Sequence, residues 1–132
     1  METAKTYTPT VGRVLLAAIF LISGIGKLLN PAGTIGYISA VGLPLPELGL
    51  AIAIVVEIVG GVFLIAGYRT RIVALTLAVF TIVAGIFFHN HFADQNQLIH
   101  FLKNLAIAGG LLEVAAFGPG RFSLDARKAV TA

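Results

Sequence analysis

The chain contains no cysteine. Disulfides, zinc–thiolate sites, iron–sulfur clusters and thiol redox chemistry are therefore excluded within it. Charge is scarce too: 11% of the 132 residues are Asp, Glu, Lys or Arg, against about 25% in a soluble domain. At 58% hydrophobic and a mean hydropathy of +0.96, too few polar residues remain for a soluble module. There is no Gly-rich phosphate loop, no plausible serine triad and no dinucleotide fingerprint. Gly24-Ile25-Gly26 is not one, because it lies in an apolar span with no strand before it. The opening METAKTYTPTVGR lacks a clear cleavable signal, and the apolar run after it has no small-x-small exit, so it reads as a retained first span. Long-range repeats are not evident. The net charge of +3 argues nothing about nucleic acid, since the basic residues sit at span ends.

What is present is a set of long apolar runs, the most informative being Leu50 to Ala66, LAIAIVVEIVGGVFLIA. Glu57 stands ten residues from both Glu47 and Gly67, so a rise of 1.5 Å per residue puts it roughly 15 Å from either end, near a bilayer midplane. A charge there costs at least a few kcal/mol, so the residue must face protein, find a partner or carry a proton. Ala53, Gly60 and Gly61 share its helical face and let a second helix approach closely.

Taken in order, the chain predicts an all-α fold: a four-helix transmembrane bundle with a short interfacial or re-entrant helix between spans one and two, forming a single membrane domain over 1–132. Residues 1–10 read as a polar tail. The spans fall at about 12–29, 47–66, 72–88 and 98–117. In the first, Arg13 and Lys27 must snorkel outward. Asn30 and Pro31 make a good N-cap and first helical residue for a short helix over about 31–41, stopped by Gly42, Pro44 and Pro46, with Tyr37 at headgroup level. The tail after Gly118-Pro119-Gly120 reads as basic and polar.

Four spans put both termini on one side. Lys5, Arg13, Arg69, Arg71, Arg121, Arg127 and Lys128 fall on that side, seven of the nine basic residues, leaving Lys27 and Lys103. The positive-inside rule then makes both termini cytoplasmic in a multi-pass protein; the membrane expected is a bacterial inner membrane.

In the fourth span, Lys103, Ala106, Gly110 and Glu113 share one face, the natural partner for the Glu57, Gly60 and Gly61 face. The axial gap between Lys103 and Glu57 is roughly 8 Å, which the two side chains close together, with Asn104 adding a hydrogen bond from its amide. Glu113 is expected to be neutralised by Arg13, Arg69, Arg71 or Arg121. These groups read either as inter-helix clamps or as a ligand or proton site. His89 and His91, with Asp94 and His100 nearby, have metal-ligand character, but an interfacial polar loop is the plainer reading. No structural metal is expected there, and three histidines in one loop region do not make a bis-His haem clamp.

Several ordered pieces resemble the DoxX family of small four-helix membrane proteins: Arg13 with LLAAIFLISGIGKL through Leu28, Gly42-Leu43-Pro44, Glu57-Ile-Val-Gly60-Gly61, Gly67-Tyr-Arg69-Thr-Arg71 and His91-Phe92. Lys103-Asn104-Leu-Ala-Ile-Ala-Gly109-Gly110-Leu and Gly118-Pro-Gly120-Arg-Phe-Ser123-Leu-Asp125 complete the set. The resemblance implies a four-helix fold and an association with quinone-dependent sulfur oxidation and membrane oxidoreductase assemblies. The functional expectation is an auxiliary subunit or membrane anchor in quinone-linked redox metabolism or detoxification. Its ligand-binding set is Glu57, Lys103, Asn104, His89, His91 and Lys27; the cofactor is a quinone, none is covalent, and electrons come from a partner protein. The expected partners are the lipid bilayer, a quinone-like molecule and a redox protein, with a second copy of the chain left open. The rival is a non-enzymatic carrier or assembly factor whose polar groups only hold helices together.

Overall fold

The computed structural model describes residues 2–131, and within them the fold is all-helical. The order is α1 (Glu2–Leu29), α2 (Pro31–Ala40), α3 (Pro46–Ala66), α4 (Thr70–Phe88), α5 (Gln95–Phe117) and α6 (Leu124–Thr131). Helices α1, α3, α4 and α5 are long and apolar enough to cross a membrane.

Each boundary has a local cause. Asn30 caps α2 by accepting from the Gly33 N–H at 3.2 Å, and Pro31 opens the helix where its missing N–H costs nothing. Helix α3 closes on Gly67 at φ +68°, with the Gly67 and Tyr68 N–H groups donating back to Leu64 and Phe63, the double closure of a Schellman turn. Arg69 is also left-handed, at φ +50°, so three residues suffice to reverse the chain into α4.

The four long helices form a ring. Helix α1 packs on α3, α3 on α4, α4 on α5, and α5 returns to α1, leaving α3 and α5 diagonal. The core is small and tight: Ala17, Phe20, Leu64, Ala74, Leu77, Ala78, Ala108 and Leu111. Close approach is set by glycine. A Cβ on Gly61 would stand 2.8 Å from Leu21 of α1, and one on Gly60 2.9 Å from Leu77 of α4. The large apolar residues left over, such as Leu15, Ile22 and Val79, point outward and suit a hydrocarbon surround.

The N-terminal segment departs from the sequence reading, and the C-terminal one adds a helix to it. The expected polar tail is helical from Glu2 onward, with Met1 outside the described residues; α1 spans 28 residues, about 42 Å, so its first turns stand clear of a 30 Å hydrocarbon core. Pro9 is accepted inside it because the end of the chain packs there: the Tyr7 ring stacks on Phe122 at 5.4 Å, and Gly120 abuts Pro9. The basic tail is also helical, since Ser123 accepts from the Ala126 N–H and so starts α6.

Candidate functional site

The site begins where α1 and α3 touch. Gly24 is buried against Ile58 and the Glu57 Cβ, and this contact brings one face of α1 onto Glu57. Ser23 and Lys27, one turn apart on that face, converge on the carboxylate. Lys27 Nζ donates to Glu57 Oε2 at 2.9 Å and Oε1 at 3.1 Å, and to Ser23 Oγ at 2.7 Å; Ser23 Oγ in turn donates to Oε1 at 3.1 Å. Glu57 is only 5% exposed, so its charge is matched inside the protein.

This corrects the expected partner. Lys103 lies on the exposed face of α5, away from the carboxylate. The reason is topological: α5 is diagonal to α3, and the small residues beside Glu57 are met by α1 and α4. Lys27 therefore turns inward instead of snorkelling away. Glu113 is likewise on the exposed face of α5. Of the guanidinium groups expected to neutralise it, those of Arg13 and Arg71 go to helix ends instead.

Above the Ser23–Lys27–Glu57 group is a cavity of about 610 Å³. Its walls are largely apolar, with four phenylalanines among them: Phe20 of α1, Ile38 of α2, Ile52 and Ala53 of α3, Phe80, Phe87 and Phe88 of α4, and Ile107 of α5. The volume is that of a small-molecule site. It runs from mid-bundle to the end opposite the termini, where α2 and Leu43-Pro44 form one side and His89 the other. Helix α2 is tied down by Tyr37, whose hydroxyl donates to the Phe88 carbonyl at 3.3 Å and whose ring stacks on Phe88 at 5.1 Å.

Four of the six residues read from the sequence, Glu57, Lys27, Asn104 and His89, share this cavity; Lys103 and His91 do not line it. Asn104 projects from α5 and donates to the Thr81 carbonyl at 3.1 Å. His89 bonds Gln97 through Nδ1 at 3.3 Å and stacks on His100 at 5.1 Å. His91 is exposed. Among the described residues no group of three or more His, Cys, Asp or Glu could hold a metal. Sequence reasoning missed Ser23, Tyr37, Thr81 and the aromatic walls as site residues. Ser23, four residues before Lys27, was the one with a visible signal.

The opposite end of the bundle is closed by caps. Buried Arg13 donates to the Leu64 and Ile65 carbonyls at the end of α3, to Thr10, and to the Phe122 carbonyl. Asp125 accepts from the Arg69 and Thr70 N–H groups at the start of α4, both at 2.9 Å. Burial alone would raise the Asp125 carboxyl; the Thr70 and Arg69 amides and the Lys128 ammonium outweigh it and hold the group below its ordinary value. Arg71 caps the end of α5 through Ala115 and Ala116.

Residues 8–90, from the capped end through α4, match the model of the DoxX family. The chain belongs to the DoxX family. It is similar to the inner membrane protein YqjF of Escherichia coli K12, 39% identical over 115 residues that make up 87% of each chain. It is 33% identical over 123 residues to the inner membrane protein YphA of the same organism, covering 89% of this chain and 87% of the other. A 74-residue stretch, 56% of this chain and 53% of the relative, is 35% identical to a Bacillus subtilis 168 protein named putative oxidoreductase CatD. No solved structure matches the chain. The DoxX match contains Ser23, Lys27, Tyr37, Glu57, Thr81 and His89, and stops before Asn104.

Proposed function

We propose that this DoxX protein binds a quinone-like molecule in the cavity and serves as an auxiliary subunit or membrane anchor in quinone-linked redox metabolism or detoxification. The observation that carries the reading is a charged, hydrogen-bonded floor beneath an apolar, aromatic cavity of about 610 Å³. The donor set fits such a ligand. Lys27 spends its three N–H groups on Ser23 and the two Glu57 oxygens, so a ring oxygen would take over one of them from the longer Oε1 bond; Ser23 and Oε2 hold the ammonium in place, and the Phe20, Phe80 and Phe87 walls suit a flat ring. A bound quinone would supply a two-electron, two-proton carrier. The chain's own part is to exclude water from the floor, orient the ring and keep a proton donor and acceptor at Lys27 and Glu57. Electrons come from a partner protein. The name of the partial relative CatD supports a redox setting. Basic residues gathered at the capped end support a cytoplasmic position for both termini.

The test is extraction of gently solubilised protein and absorbance of the extract. The expected result is stoichiometric quinone from the unmutated chain and background levels from Lys27→Met. Quinone at background in both would refute the reading. A second reading has its own support: Ser23, Lys27 and Glu57 satisfy one another as a clamp would, which fits a non-enzymatic carrier or assembly factor. A clamp tolerates Glu57→Gln, whose amide still accepts a hydrogen bond. A proton-handling site loses function in Glu57→Gln with the fold intact.

A further inference from the structure

We propose that Thr81 is a second ligand anchor, facing the Lys27–Glu57 floor, and that the ligand therefore carries hydrogen-bond-accepting oxygens at two opposite edges of its ring. The inference rests on the reading of the cavity as a quinone-type site and narrows it to rings whose two carbonyls stand opposite one another rather than side by side.

Three observations carry it. Thr81 lines the cavity and is 5% exposed, yet its Oγ1 has no hydrogen-bond partner. A buried hydroxyl without a partner is a cost that valine, of the same shape, would avoid. The Oγ1 itself is occluded, so serving a ligand takes a turn about χ1, and a threonine in a helix has two accessible χ1 wells.

The second observation is depth. Thr81 lies eleven residues into α4 from Thr70 and Glu57 nine residues before Ala66, about 16 Å and 14 Å along their helices from the capped end. The two groups are therefore level, on different walls. The third is Asn104, which comes from the neighbouring helix α5 and spends one amide hydrogen on the Thr81 carbonyl. Its bond fixes that stretch of α4 and leaves the rest of the carboxamide on the cavity. One wall thus donates from an ammonium and the other from a hydroxyl, and a flat ring between them must accept at both edges.

The experiment measures equilibrium binding of menadione, with two opposed ring carbonyls, and of tetralone, with one, to the purified chain in nanodiscs. Thr81→Val, Thr81→Ser and Lys27→Met are compared, and thermal unfolding of each is recorded without ligand. Thr81→Val should weaken menadione binding about three- to tenfold, leave tetralone binding unchanged, and unfold at the same temperature as the unmutated chain or higher; Thr81→Ser should keep menadione affinity. Equal menadione affinity in Thr81→Val, with binding lost in Lys27→Met, would overturn the second anchor and leave the cavity reading standing. Absence of menadione binding to the unmutated chain would overturn both. A lower unfolding temperature for Thr81→Val, or failure to fold, would show that the hydroxyl serves the fold and would also overturn the inference.

Discussion

The Lys27–Glu57 pair makes an asymmetric prediction. Glu57 has a side chain 6% exposed in mid-bundle, while Lys27 is 21% exposed and two residues from the end of α1. Lys27→Ala leaves a buried carboxylate with the Ser23 hydroxyl as its remaining side-chain donor. An uncompensated buried charge of this kind costs about 3–5 kcal/mol. Glu57→Ala strands an ammonium that is not trapped: its four-carbon stem lets it swing toward the open end of the cavity. That loss is roughly 1–2 kcal/mol, the value of its hydrogen bonds. The double variant Lys27→Ala/Glu57→Ala removes both charges and should cost no more than roughly 2–3 kcal/mol, so the coupling is at least about 2–4 kcal/mol. Lys103→Ala, on the exposed face of α5, should stay within about 0.5 kcal/mol of the unmutated chain.

Reversible unfolding in mixed micelles, followed by helical circular dichroism, measures all four. Single effects that add to within about 0.5 kcal/mol would refute the pairing. Glu57→Ala costing as much as Lys27→Ala would refute the argument that depth decides the cost.

Arg13→Lys should destabilise the protein by about 2–4 kcal/mol in the same assay, because an ammonium cannot reproduce a guanidinium fork that serves two α3 carbonyls, Thr10 and Phe122 at once. Asp125 titrates below its ordinary value in the folded chain, so its contribution is complete above that ordinary value and is lost as pH falls through the folded-state one. The unfolding temperature should drop on acidification below about pH 4, with a smaller drop in Asp125→Asn; identical acid profiles would count against the cap. A reporter fused after Ala132 should be active only in the cytoplasm, and periplasmic activity would reverse the proposed orientation.

The transmembrane helices were legible because hydrocarbon leaves little choice: an apolar run of span length is a helix or it does not cross. Glu57 was legible for the same reason, and its small neighbours at Gly60 and Gly61 correctly signalled close helix contact. What the pattern could not tell was which helix makes that contact. Helical periodicity groups Lys103, Ala106, Gly110 and Glu113 on one face, but neighbour order is a property of the ring, and the ring sets α5 diagonal to α3. Lys27 was misread because a lysine near a span end has two low-cost fates, outward to the headgroups or inward to a carboxylate. Only the α1–α3 contact at Gly24 decides between them. The helical start at Glu2 was hidden for a comparable reason: Pro9 and the threonines argue locally against a helix, and the contacts of Tyr7 with Phe122 and of Pro9 with Gly120 come from the far end of the chain.

The two ends of the bundle divide the DoxX-like motifs by purpose. A helix end at a membrane boundary exposes carbonyls and N–H groups that need partners. At the capped end those partners come from other segments: Arg13 serves α3, Asp125 serves α4 and Arg71 serves α5. A Cβ on Gly67 would collide with Ser123, at a backbone φ of +68°, so this end also has no room to adjust. The Gly67 to Arg71 and Gly118 to Asp125 motifs are thus explained by folding alone. The other end has no comparable set of cross-segment caps among the described residues. Helix α2 rests there on Ile38 against Gly49 and on the Tyr37 contact with Phe88, and the cavity opens beside it. A rigid, capped end lets the opposite end keep a cavity and a charged floor without losing the bundle. It follows that substitutions at Arg13, Gly67 or Asp125 should deplete the protein, substitutions at Thr81 or Asn104 should change what it binds, and Lys27, as the partner of buried Glu57, bears on both. The motifs around Ser23, Lys27 and Glu57 are then the ones from which function has to be read.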